Sequence, residues 1–180
     1  MSSIIKVDQI QLADGSTPTA GDLGVTLGSA DLPTGSVLQV VTQSHSSFVI
    51  INNTTFTDTN LSATITPSST SSIIQIIVSQ AILVSRDTSD VINSACRILD
   101  GDDSVIATAD RLTGTSSGTS TFNVIRANDT AILTATHTPN TTSAITYRTQ
   151  IKPSTTSNNG LVVAQDGNSR SSIILMEIAG

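Results

Sequence analysis

The chain has 180 residues, only 12% of them charged, with a formal net charge of −6. That length fits one domain carrying an arm. So few basic residues exclude nucleic acid as the main partner, because phosphate contacts need a basic face, and they exclude attraction to an anionic membrane. The chain has 13 Asp but a single Glu, Glu177, and only two Lys, so good helix formers are scarce. Ile and Val together number 34, and Ser and Thr together 55. Branched side chains and hydroxyls fit strands and turns, and the chain reads as all-β.

Residues 1–35 form a distinct segment. Ile4-Ile5-Lys6-Val7-Asp8-Gln9-Ile10-Gln11-Leu12 reads as a short strand, and Ala13-Asp14-Gly15-Ser16 as a turn. Pro18, Gly21, Gly24, Gly28 and Pro33 follow, with few large side chains between them. Such a stretch buries too little apolar surface to fold alone. It nevertheless keeps Ile4, Ile5, Val7, Ile10, Leu12, Leu23, Val25 and Leu27 spaced along it. Those residues are the expected anchor of an extended N-terminal arm that orders against a partner or a neighbouring copy.

From residue 36 to 180 the pattern is strand after strand. Residues 37–41 and 48–51 are mainly apolar, and Leu61-Ser62-Ala63-Thr64-Ile65 alternates with period two up to Thr66-Pro67. Residues 73–84 are the most apolar stretch. Ile73, Ile74, Ile76, Ile77 and Val78 place large groups on both faces of a strand, so the expectation is cover by a second sheet and by a neighbouring subunit, and these five residues are the expected subunit interface. Asp100-Gly101 between two apolar runs signals a hairpin. Residues 110–120 read as a loop. Further strands are expected at 122–126, 131–136, 144–151, 161–164 and 172–178, with turns at Asn128-Asp129, Pro139-Asn140, Asn158-Asn159-Gly160 and Asp166-Gly167-Asn168. About ten short strands at this spacing predict an antiparallel β-sandwich or jelly roll.

The chain also echoes itself. Thr66-Pro67-Ser68-Ser69-Thr70 matches Thr138-Pro139-Asn140-Thr141-Thr142, with a fainter copy at Lys152-Pro153-Ser154-Thr155. The echo reads either as repeated corners of a sandwich or as chance in a Ser/Thr-rich chain. Proline ends a strand there because it lacks the N–H a ladder needs.

The search for chemistry points away from an enzyme. His45, His137 and Cys96 are far apart in sequence, and no zinc-ligand spacing exists. Asp100-Gly101-Asp102-Asp103 is too short for a calcium loop and reads as a turn. No Gly-x-Ser-x-Gly elbow or phosphate-cradling glycine loop occurs. Phe48, Phe56, Phe122 and Tyr147 are expected in the core, as is Cys96. No catalytic residue, cofactor or metal is assigned. Apolar runs stay far below the roughly 18 residues of a membrane helix. The absence of a secretory signal pattern and of an internal disulfide fits synthesis in a cytoplasm.

Two segments carry a family resemblance. Ser3-Ile4-Ile5-Lys6-Val7-Asp8-Gln9-Ile10-Gln11-Leu12-Ala13-Asp14-Gly15-Ser16, continuing to Gly24, resembles the opening of small virion proteins of tailed phages, especially tail-fibre-like proteins of cyanophages. Ser171-Ser172-Ile173-Ile174-Leu175-Met176-Glu177-Ile178-Ala179-Gly180 resembles their last strand, and Gly35-Ser36-Val37-Leu38-Gln39-Val40-Val41 their entry into the β domain. The resemblance implies a homotrimeric virion subunit. Residues 1–35 would attach it to other virion proteins, and residues 36–180 would form an exposed oligomerising knob, with a host surface receptor as a further partner. A capsid decoration protein and a lectin-like receptor-binding module are the alternatives. The chain lacks the long repeats or coiled coil of a fibre shaft.

Overall fold

The computed structural model describes residues 15–17, 32–87, 91–115 and 125–180. The chain separates into two compact units, Met1–Pro33 and Thr34–Gly180. In the first, Gly15 takes a φ of 84°, the left-handed conformation expected of the turn at that point. The proposed anchor residues Ile4, Ile5, Val7, Ile10, Leu12, Leu23, Val25 and Leu27 lie outside the described residues, as does Phe122.

The second unit contains ten strands among the described residues: β1 (Val37–His45), β2 (Val49–Ile51), β3 (Thr57–Ile65), β4 (Ile73–Arg86), β5 (Ile92–Leu99), β6 (Val105–Thr115), β7 (Ile125–His137), β8 (Ile145–Pro153), β9 (Leu161–Ala164) and β10 (Ser171–Ile178). One sheet pairs β1, β10 and β4 in that order, with β7 on the other edge of β4. The second sheet runs β3-β8-β5-β6. The antiparallel pairs β1/β10, β3/β8, β4/β7 and β5/β6 are those of a chain doubled back into one long ribbon. Folding that ribbon into two four-stranded sheets gives a jelly roll. Strands β2 and β9 extend the first sheet along the second half of β4, past the end of β10.

The echoed segments are corners of this ribbon. Residues 66–72 lead from β3 in the second sheet to β4 in the first, and residues 138–144 lead from β7 back to β8. Ile65 pairs with Ile145, and Ile74 with His137, so the two corners lie side by side at one end of the sandwich. Asn140 holds a φ of 54° there, a conformation its short amide side chain tolerates. Lys152-Pro153-Ser154-Thr155 also precedes a change of sheet, from β8 to β9.

Alternation decides the core. Leu61, Ala63 and Ile65 on β3, Ile74, Ile76 and Val78 on β4, and Ile173 and Leu175 on β10 all point between the sheets and are buried. Each such Leu, Ile or Val side chain removed from water contributes about 1.5–3 kcal/mol before entropy is counted. A polar thread crosses the same core. Thr149 Oγ1 donates to Gln80 Oε1 at 3.0 Å, and Gln80 Nε2 donates to Ser171 Oγ at 2.9 Å. Both Gln80 and Thr149 are fully buried, so this chain of bonds fixes β8 against β4 and β10 in one register.

Three expectations need correction. Ile74, Ile76 and Val78, placed at a subunit interface by their sequence, are wholly enclosed by the chain's own second sheet; Ile73 and Ile77 do lie on the outer face. Residues 122–136 were expected as two strands with a turn at Asn128-Asp129. Instead β7 runs unbroken from Ile125 to His137, because β4 offers a fourteen-residue partner along its whole length. Residues 110–115 belong to β6 rather than to a loop, with irregular pairing against β5 and a φ of 58° at Arg111.

Candidate assembly face

The outer face of the first sheet follows from the pairing register. Val37, Ile178 and Ile73 form one row across β1, β10 and β4. Val40, Met176, Gln75 and Thr136 form the next, continuing onto β7. Thr42, Ile174, Ile77 and Thr134 follow, then Ser44, Ser172, Ser79 and Ile132. None of these side chains is charged. Val37, Val40 and Ile132 are more than half exposed, at 53%, 55% and 61%. Contiguous apolar surface rimmed by hydroxyls is the usual mark of a contact site on a soluble chain.

The other sheet presents the opposite character. Arg148 on β8 bonds Asp58 on β3 at 3.1 Å through Nε and also pairs with Asp103 in the β5–β6 turn. The hydrogen bond to Asp103 raises the Arg148 guanidinium above its usual range, against the opposing effect of burial and with Asp58 adding to the rise. Arg97 donates to Gln150 Oε1 through Nε at 2.8 Å and sits 4.3 Å from the centre of the Phe56 ring. Lys152 covers the same ring at 4.7 Å. Thus Phe56 is a platform for two cations rather than a core residue. The expected Asp-Gly hairpin is present: Asp100 Oδ1 accepts from the backbone N–H of Asp102 at 3.0 Å and of Ser104 at 2.9 Å, which closes the turn.

The uncharged face is held in place by the one glutamate. Glu177 on β10 points inward and is fully buried. Its Oε1 accepts from the Ser68 N–H at 2.6 Å, the Ser68 hydroxyl at 2.7 Å and the Ser72 hydroxyl at 2.7 Å. Its Oε2 accepts from Gln39 Nε2 at 2.6 Å. Burial pushes the carboxyl pKa up, but these four donors outweigh it and the net shift is downward. The clamp ties β10 to β1 and to the 66–72 corner, and the backbone pairs of Ala179 with Gly35 and Ser36 continue it. The sequence singled out Glu177 by its rarity but gave no sign of this role.

The remaining candidates are structural. Cys96 is fully buried, and burial pushes its thiol up to about 12. It is expected to resist thiol reagents in the native protein and to react at the rate of unfolding, as a colorimetric thiol assay with and without denaturant will check. Tyr147 is buried as expected, its hydroxyl 2.9 Å from His137 Nδ1. Phe48, expected in the core, is instead 62% exposed beside β2. No cluster of three or more His, Cys, Asp or Glu with metal-binding geometry occurs among the described residues.

No protein-family model and no curated protein matches the chain. Among solved structures, it is similar to a mutant VP2 protein of infectious bursal disease virus in T=1 particles, at 13% identity and a TM-score of 0.34, over 80% of this chain and 37% of that one. A structure of the Gt strain of that virus gives 12% identity and a TM-score of 0.33, over 82% and 39%. The VP2 subviral particle gives 14% and 0.30, over 78% and 38%. The chain therefore spans less than two-fifths of the length of these structures.

Proposed function

We propose that the chain is a structural subunit of a virion, a tail-fibre-like appendage of a tailed phage that works by assembly rather than by chemistry. In this reading residues 1–35 attach to other virion proteins, and the jelly roll forms an exposed homo-oligomeric knob. The observation that carries it is the uncharged outer face of β1, β10, β4 and β7, which leaves apolar side chains uncovered in a single copy. Self-association suits such a face. A symmetric contact sets like residues near like, and a face without charge brings no repulsion from a chain of net charge −6. The resemblance of both ends to phage virion proteins supports the same reading and suggests a trimer.

Two measurements test it. The purified protein is expected at about three times 18.6 kDa in solution; a stable monomer at all concentrations refutes the assembly. Deleting residues 2–30 is expected to leave that oligomer folded but absent from purified particles. Normal incorporation of the deleted chain refutes the attachment role, and a label spread over the whole head replaces the tail appendage with a capsid decoration protein.

A further inference from the structure

The second sheet carries a polar groove that the assembly reading does not use. Lys152 on β8, Ala95 on β5 and Asp110 on β6 form one row across it. Ala95 is the floor, and its small side chain leaves an open groove of about 530 Å³, within the roughly 300–1,000 Å³ of small-molecule sites. Lys152 and Ser154 stand on one side, Asp110 and Arg111 on the other, and Asn93 toward one end. Neighbours in a regular strand point to opposite faces, yet Asp110 and Arg111 both line this groove. The register explains it. Two steps along β5, from Ala95 to Asn93, match four along β6, from Asp110 to Gly114, and Arg111 takes up part of the excess at a φ of 58°. Such a bulge re-aims a side chain, and an arginine in this conformation is strained where an asparagine is not. A Cβ at Gly114 would run into the Asn93 side chain, so the glycine keeps room for that amide. The Phe56 ring, centred 4.7 Å from the Lys152 ammonium, steadies the other wall. Among the described residues no ion pair takes up Asp110, Arg111 or Lys152.

We propose that this groove binds a saccharide bearing a carboxylate, a hexuronate or a sialate, with Arg111 and Lys152 on the carboxylate and Asp110, Asn93 and Ser154 on ring hydroxyls. Two cations make an anion site, and the fork of an arginine suits a carboxylate. Asp110 decides which kind of anion. Its carboxylate only accepts hydrogen bonds, so the ligand has to donate as well, as hydroxyls on the same sugar ring do. It also repels a chain of phosphates, and so does a net charge of −6. The Asn93 amide both donates and accepts. The Ser154 hydroxyl accepts from the Asn93 backbone N–H at 3.0 Å, which leaves its own hydrogen to donate. A neutral sugar satisfies the last three groups but leaves both cations without a partner. The groove lies on the sheet opposite the uncharged face, so copies joined through that face leave it open to ligand.

This goes beyond the virion reading. Solution mass and particle localisation test that reading, whereas titration of the full-length protein tests the groove, so either fails without the other. Ligand-detected NMR titrations compare phenyl glucuronide with phenyl glucoside, and sialyllactose with lactose. At least one acidic member is expected to bind about tenfold more tightly than its neutral parent. Lys152→Gln and Arg111→Asn are each expected to remove about that tenfold, while Arg170→Gln, an equal change of charge outside the groove, leaves it in place. Arg111→Asn also separates binding from folding, because asparagine tolerates the left-handed backbone better and the variant should melt no lower than the native chain. Asp110→Asn gives a test of sign. It is expected to weaken the acidic sugar roughly fivefold, by losing a charged acceptor for ring hydroxyls, whereas a site that merely collects anions gains from the lost negative charge. Four results each overturn the proposal: acidic sugars bound no better than their neutral parents, an equal loss with Arg170→Gln, tighter binding by Asp110→Asn, or a short oligothymidylate bound as tightly as the acidic sugar.

Discussion

Replacing Glu177 with alanine is expected to cost about 3–5 kcal/mol of stability, enough to leave much of the protein unfolded at physiological temperature. The loss comes less from the bonds themselves than from what stays behind. The Ser72 hydroxyl is fully buried and loses its acceptor, and the Ser68 N–H and hydroxyl lose theirs at a more exposed point of the corner. Glu177→Gln keeps the shape but removes the charge and turns one acceptor into a donor. That donor meets either the serines or Gln39 Nε2. Gln39 cannot simply turn over, because the same Nε2 also donates to the Thr66 carbonyl at 2.7 Å. A cost of about 2 kcal/mol is expected for the glutamine variant, from losing hydrogen bonds to a charged acceptor. Urea titration of both variants measures these costs, and losses below about 1 kcal/mol for alanine remove the clamp from the account.

The same carboxylate sets a pH dependence. The pKa of Glu177 is lower in the folded than in the unfolded chain. Its stabilisation is therefore complete above the unfolded value, about 4.3, and is lost as pH falls through the folded one. The melting temperature of the native chain should drop with acidification below about pH 4, and that of Glu177→Gln should drop less over the same interval. Parallel slopes for the two proteins exclude Glu177 as the source.

How far the sequence carried this architecture depended on whether the signal was local. Alternation at Leu61-Ser62-Ala63-Thr64-Ile65 marked β3 with its correct inner face, and Asp100-Gly101 marked the β5–β6 turn, because both patterns lie within a few residues. The Thr-Pro corners were visible as an echo, but their adjacency depends on Ile65 meeting Ile145. The outer face was only half legible. Its β4 contribution, Ile73 and Ile77, lay within the run assigned to an interface, but the same run supplied Ile74, Ile76 and Val78 to the core. The rest comes from Ile174, Met176 and Ile178 on β10 and Val37 and Val40 on β1, about 100 residues or more from Ile77 along the chain or on the opposite edge of β10. Only the register among β1, β10 and β4 brings them together. Phe48 was misplaced for a related reason: its apolar neighbours Val49 and Ile51 do face inward, and alternation therefore turns Phe48, like Ile50, to the outer surface.

That register makes Ile174→Lys the most informative substitution on the surface. Ile174 sits at the centre of the uncharged face, paired with Thr42 on one side and Ile77 on the other. In a single copy its side chain lies on the outer surface, where lysine keeps its ammonium in water and its stem on the sheet. The folding cost is then about 1 kcal/mol or less, from strand preference. In an oligomer built on this face the charge has no counter-ion, because the rows around it contain only Ile, Val, Met, Gln, Ser and Thr. Burying it unpaired costs several kcal/mol per copy, so dissociation should strengthen by at least a hundredfold, and about 2.7 kcal/mol suffices for that factor. Sedimentation should show monomers for Ile174→Lys at concentrations where the native chain is oligomeric. The melting temperature of the native chain should rise with protein concentration while that of the variant stays flat. If Ile174→Lys remains assembled, the copies meet through some other surface, and the charged face of β3, β8 and β5 becomes the place to look.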